Sequence, residues 1–377
     1  MKAAAASRMR LTGMIRKESL QILRDPSSIA IAFVLPVVLL LLFGYGVSLD
    51  ARHIPLAVVV EQADANSASF IAAFEHSEYF DPQAFGSIQA AQQAFDLREV
   101  SGIVWLRNDF SKRLLSQGEA PVGVILNGVD ANQARITEGY IQGVWQVWLG
   151  SYARSQGVEL SLPVALEPRI WFNAAVRSRN FLVPGLIAVI MTLIGAMLTS
   201  MVVAREWERG TMESLMVTPI RIGELMIGKL APYFVLGMGG MLLSVAMALW
   251  LFDVPLRGSF WVLTAVSALF MLVALGMGLL ISVVAKNQFV AGQISIITTF
   301  LPAFILSGFI FQVSSMPAAI QLITHIVPAR YYVAILQTLF LAGDIWPIIL
   351  ANSAALLVMM IIFIGLARRK LHKRLDA

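Results

Sequence analysis

The chain has 377 residues, of which 58% are hydrophobic and only 14% charged, with a formal net charge of +5. A soluble domain carries about 25% charged residues, so the deficit points to a membrane protein. The basic residues flank apolar runs instead of forming a basic domain, which argues against a nucleic-acid partner. Cysteine is absent, and that excludes disulfides, thiol chemistry and a Cys-ligated zinc site.

In residues 8–28, Leu11, Ile15 and Ile22 recur at helical spacing, while Arg10, Lys17 and Arg24 repeat on another face. This predicts an amphipathic helix on the inner membrane surface with its cations toward phospholipid head groups; an ordinary positive flank is the plainer reading. Asp25-Pro26-Ser27-Ser28 breaks the helix, because Pro26 disfavours helical geometry at Asp25. Residues 29–49 carry no charge and match the ~20 residues needed to cross a ~30 Å core. That run is too long and starts too late for a secretory signal peptide. Pro36 lies inside it as a candidate kink.

Residues 50–179 differ in kind: polar residues return and the segment is net acidic. Strands are predicted at 54–60, 102–106 and 121–126, with helices at 67–75 and 133–152. A further helix is capped by Asn108 or Asp109, and 164–172 reads as a final extended run. The alternation implies a mixed α/β domain able to bury its own core.

The second span is 181–203, the third 230–252, the fourth 259–285 and the sixth 345–367. Residues 287–324 carry no charge, and one helix of that length would run to ~57 Å, so the run must break. We assign 287–307 to a fifth span and 308–344 to a re-entrant or extracytoplasmic segment. The basic residues of 1–28, of the 204–229 connector, of Lys286 and of the 368–377 tail all fall on one side of a six-span topology. That side is expected to be cytoplasmic, with both termini, and the 50–179 domain extracytoplasmic.

Few motifs carry chemistry. Gly223-Glu-Leu-Met-Ile-Gly228-Lys229-Leu230 approaches a phosphate loop, but Leu230 stands where Ser or Thr would hold magnesium and no strand precedes it. The four histidines are scattered, no nucleophile elbow appears, and the spans hold no mid-membrane acid of the kind a proton-driven carrier uses. The chain is therefore expected to be no enzyme and to bind no cofactor or metal. What remains is Ala204-Arg-Glu-Trp-Glu-Arg-Gly-Thr-Met-Glu213, at the foot of the second span. It reads either as a solvated turn or as a lever. Trp207 sits among the charges, Gly210-Thr211 interrupts the segment, and Met212, Leu215, Met216 and Val217 continue as an apolar stripe suited to docking on a partner.

This stretch, with Pro219 and the 225–229 step, resembles the signature of ABC-2 type exporter permeases, closest to the multidrug-type inner-membrane permeases of Gram-negative bacteria. Phe43-Gly44-Tyr45-Gly46, Gly139-Tyr140-Ile141, Leu306-Ser-Gly-Phe309, Met316-Pro317 and Pro328-Ala-Arg-Tyr331 are similar to further landmarks of that family. The resemblance implies the permease subunit of an ATP-driven exporter in the bacterial inner membrane. Its partners would be a cytoplasmic ABC ATPase that uses ATP and magnesium, a second permease, identical or paralogous, and a periplasmic adaptor with an outer-membrane channel. It further implies that Arg205, Glu206, Trp207, Glu208, Arg209, Gly210, Thr211 and Glu213 form the coupling segment. Lys17, Glu18, Arg24 and Asp25 of the interfacial helix would also contact the ATPase. The alternatives are a membrane-anchored sensor or assembly protein and a proton-driven exporter.

Overall fold

A computed structural model describes residues 2–46, 53–117, 122–129, 131–157, 171–173, 177–218 and 220–371. The chain divides into two compact units, Leu49–Pro168 and a membrane unit made of everything before and after it.

Helix α1 spans Lys2–Leu23. It stops because Asp25, held extended before Pro26 (φ −108°, ψ 95°), starts the next helix: its carboxylate accepts from the Ser27 N–H at 3.1 Å. Helix α2, Pro26–Gly46, is long and apolar enough to cross a membrane. It runs through Pro36 without a break, because a π-helical turn at Ala30–Val34 lies around the residue four positions earlier, where the proline ring would crowd the backbone.

In the second unit the elements are β1 (Ile54–Val60), α3 (Ala65–Glu75), β2 (Phe80–Phe85), α4 (Ile88–Asp96), β3 (Gly102–Leu106), α5 (Phe110–Gln117), β4 (Val122–Leu126) and α6 (Ala131–Ser155). The sheet order is β2-β1-β3-β4; β1 pairs in parallel with β2 and β3, and β3 pairs antiparallel with β4. One face packs Leu56, Phe70, Phe74, Phe110 and Trp148, and the other packs Ala57, Val59, Ala91 and Ile103. Buried on both faces, β1 is apolar throughout. The mixed α/β reading holds, but β2 and α4 escape it. Strand β2 contains Asp81 and Pro82, and a proline is tolerated there because β2 is an edge. Of the expected extended run at 164–172, residues 164–170 lie outside the described residues.

The membrane unit continues with α7 (Ser178–Glu208), α8 (Thr211–Val217), α9 (Ile222–Trp250), α10 (Phe260–Ala285), α11 (Gln288–Leu306), α12 (Ala318–Thr324), α13 (Pro328–Ala342) and α14 (Trp346–Lys370). Among the described residues, six helices are long and apolar enough to cross a membrane: α2, α7, α9, α10, α11 and α14. The bent pair α12–α13, turned by 87°, would make a seventh span if counted as one. Helix α11 repeats the device of α2, with a π turn at Ile296–Phe300 ahead of Pro302.

Helix α7 is the central post: 89% of its apolar window is buried, against 11% for α14. Its neighbour α10 comes close through small residues four apart. Gly195 faces Ala274, and a Cβ on Gly278 would collide with the Thr199 hydroxyl and the Ala196 carbonyl. Two helix boundaries differ from the uncharged runs. Helix α7 continues through Arg205, Glu206 and Glu208, and α9 starts at Ile222, so Lys229 lies within a helix and not before one.

Candidate functional site

Helix α1 touches the first turns of α9 at Gly228, where a Cβ would stand 2.6 Å from the Met14 side chain. The close approach brings Lys229 against α1. Its Nζ lies 2.9 Å from Glu18 Oε1 and 3.0 Å from Glu206 Oε1, at the foot of α7. Lys17 Nζ reaches the same Glu206 oxygen at 2.6 Å and Glu18 at 3.4 Å. The Thr211 hydroxyl, at the start of α8, donates to the other Glu206 oxygen. Two lysines thus balance two carboxylates drawn from three helices. Lys229 and Glu18 are each 1% exposed and Glu206 5%. Charges this far from water persist only when paired and hydrogen-bonded.

Two further ties flank this quartet. Arg205 donates from its terminal nitrogen to Asp25 Oδ2 and from Nε to Gln288 Oε1, both at 3.1 Å. Glu208 accepts from the Gln288 backbone N–H at 2.9 Å and its side-chain amide at 2.6 Å, placing a carboxylate on the N-terminus of α11. Toward the start of α1, Arg10 forks onto Glu224 at 3.0 and 3.2 Å. Glu224 also accepts from the Arg221 N–H and the Ser7 hydroxyl. Trp207 is half-buried against its own chain, with the Lys286 ammonium 5.0 Å over its ring.

The interfacial helix therefore differs from the expected one. Arg10 and Lys17 do not turn to head groups; they are spent on Glu224 and Glu206. Of the residues nominated from sequence, Lys17, Glu18, Asp25, Arg205, Glu206 and Thr211 are brought together in this junction. Arg24, Arg209 and Gly210 are exposed, and Gly210 takes the left-handed conformation (φ +65°) that ends α7 and releases α8. Glu213 belongs to α8, its side chain outside the described residues. Sequence reasoning missed Lys229, Gln288, Glu224, Arg10 and Lys286 as members. The available signal was Lys229, an ionisable residue entering an apolar run. The stretch Gly223–Leu230 is helical, so it offers no phosphate-cradling loop. Among the described residues, no three His, Asp or Glu side chains are placed to hold a metal ion.

Burial works against a charged Lys17, yet the hydrogen bond to Glu206 and the charges of Glu18 and Glu206 outweigh it and raise its pKa. For Asp25, burial pushes upward, while Ser28 and Arg205 pull further down, so its carboxyl titrates below the ordinary range. A depressed carboxyl stabilises the fold above its unfolded pKa and loses that contribution as pH falls through its folded value. The thermal-stability gap between the parent and Asp25→Asn in detergent should thus stay constant down to about pH 4, near the free aspartate value of about 3.9, and close below it. A gap already closing near neutral pH would show that Asp25 is not held ionised by Arg205.

A family model described as ABC-2 family transporter protein matches residues 26–369. The chain is 42% identical over 368 residues to the probable multidrug ABC transporter permease YbhS of Escherichia coli (strain K12), covering 97% of this chain and 98% of the relative. It is 29% identical to the probable multidrug ABC transporter permease YbhR of the same organism, over 91% of this chain and 95% of the relative. The inner membrane transport permease YhhJ of E. coli (strain K12) is 28% identical over 63% of this chain and 65% of its own length.

Proposed function

This chain belongs to the ABC-2 transporter family, as a multi-spanning permease subunit of an exporter, and from that premise we propose that its charged junction is where an ATPase drives it. Family membership implies association with an ABC ATPase. The observation that carries the proposal is the placement of α8: a short helix hung from the foot of the most buried helix, clamped through Thr211 and Glu206 to the same buried lysine that holds α1 and α9. A push on α8 cannot move α7 alone. It passes through Glu206 and Lys229 into α1 and α9, and through Arg205, Glu208 and Gln288 into α11.

Direct contact with the ATPase is assigned to Arg209, Gly210 and helix α8, which carries Glu213 and Val217; Val217 is apolar yet 82% exposed. Lys17, Glu18, Asp25, Arg205 and Glu206 act as the transmission behind that surface, their charges being spent within the chain. In this reading the junction and both termini are cytoplasmic, the Leu49–Pro168 unit is extracytoplasmic, and the membrane is the bacterial inner membrane. The cargo is an amphipathic small molecule, in keeping with the relatives' multidrug names, and a second permease completes the pathway. An adaptor and outer-membrane channel would receive the cargo at the extracytoplasmic unit.

The test is co-purification with the ATPase expressed beside it. Arg209→Glu with Val217→Asp should abolish recovery of the ATPase while leaving the melting temperature of the permease unchanged, since neither side chain is buried. Undiminished recovery would overturn the assignment.

A further inference from the structure

Beside the junction, α1 and the foot of α7 enclose an open cleft of about 720 Å³. It is lined by Arg16, Lys17, Arg24, Arg205 and Arg209 against a single carboxylate, Asp25. Lys17 and Arg205 are committed to partners within the chain. Among the described residues, the side chains of Arg16, Arg24 and Arg209 are offered no hydrogen-bond or ion-pair partner. Three exposed guanidiniums without such a partner thus line one concavity.

We propose that this cleft holds the phosphate of an anionic phospholipid head group. Guanidinium forks match phosphate oxygens two at a time, and basic pockets beside membrane helices are suited to such head groups. The depth of the cleft selects a lipid over a protein segment. The Arg205–Asp25 pair, 3.1 Å across, joins the last turns of α7 to the N-cap of α2. Both helices turn apolar from that level, so the cleft lies where lipid phosphates sit. The apolar half of a lipid also has somewhere to go. Leu20 and Leu23 of α1 are 44% and 69% exposed. Along α2, Val34, Val38 and Leu42, four residues apart, are all more than half exposed. The cleft shares Arg209 with the ATPase reading, but its test substitutes only Arg16 and Arg24, so either reading can fail alone.

The probe is phosphatidylglycerol competed against phosphatidylcholine on the purified full chain, with retained lipid counted by native mass spectrometry. The wild type should retain phosphatidylglycerol preferentially. Each near-surface cation contributes roughly a fivefold attraction to anionic lipid, so Arg16→Gln with Arg24→Gln should cut that preference roughly 25-fold, phosphatidylcholine retention being unchanged. Arg16→Lys with Arg24→Lys should keep most of it. Equal retention of the two lipids by the wild type, or an unaltered preference in the glutamine variant, overturns the proposal. So does a glutamine variant that loses the ATPase while keeping its lipid, which would give the cleft to an acidic segment of the partner.

Discussion

Lys229→Met should lower the stability of the detergent-solubilised protein by about 3–5 kcal/mol, the cost of breaking a buried ion pair from one side. Lys229 is 1% exposed, and its two partners, Glu18 and Glu206, are buried with it. Methionine fills the volume of the lysine stem, so the loss is electrostatic. Lys17 remains within reach of both carboxylates but carries one charge against their two. The double variant Glu18→Gln with Lys229→Met leaves a balanced pair, Lys17 with Glu206. It should therefore recover most of the lost stability, a non-additivity that independent sites would not show. It should not recover ATP-driven efflux at the parent rate, because the buried tie of α1 to α9 through Glu18 and Lys229 is then gone and only the more exposed Arg10–Glu224 fork still joins them. Unfolding curves for the four proteins of the cycle measure the first claim and efflux from loaded vesicles the second. A single variant within about 1 kcal/mol of the parent, the scale of an exposed surface pair, would show that the quartet holds nothing together.

The legibility of this chain follows from the range of the forces involved. Spans could be read because the cost of a charge in the bilayer is levied residue by residue. The same rule misplaced the start of α9. Lys229 ends the uncharged run, yet the folded chain neutralises it with Glu18, 211 positions earlier, and Glu206, 23 positions earlier. Half of the junction was legible for a similar reason: Arg205 through Thr211 lie together in sequence, whereas Gln288 and Glu224 join them only through tertiary packing. In the α/β unit, β1 and β3 announced themselves as apolar runs, and β2 did not, because an edge strand can keep Asp81 and Pro82. Proline misleads in the other direction. Pro36 reads as a candidate kink, yet π turns ahead of it and of Pro302 let both helices continue as unbroken spans.

The second large effect belongs to packing. Gly278→Val should leave little folded protein in the membrane fraction. A branched side chain there would drive into the Ala196 carbonyl and the Thr199 hydroxyl. Overpacking a core costs about 1–3 kcal/mol when neighbouring side chains can yield; here the obstacle includes the backbone of α7, so α7 and α10 must separate. Separation breaks more than one contact. Thr199 bonds the Leu275 carbonyl at 3.1 Å, and one turn on, Ser282 accepts from the Val203 and Ala204 N–H groups at 2.9 and 3.0 Å. The seam Gly195-Thr199-Val203 against Ala274-Gly278-Ser282 therefore runs down to the charged foot, and it is what makes α10 follow α7. Gly365→Ala in α14 is the control: its Cβ meets nothing within 4 Å, so it should fold as the parent does or slightly better. If Gly278→Val were recovered in the parent's yield with its melting temperature intact, α7 and α10 would be free to slide. A push arriving at Glu206 would then not reach α10 through this seam.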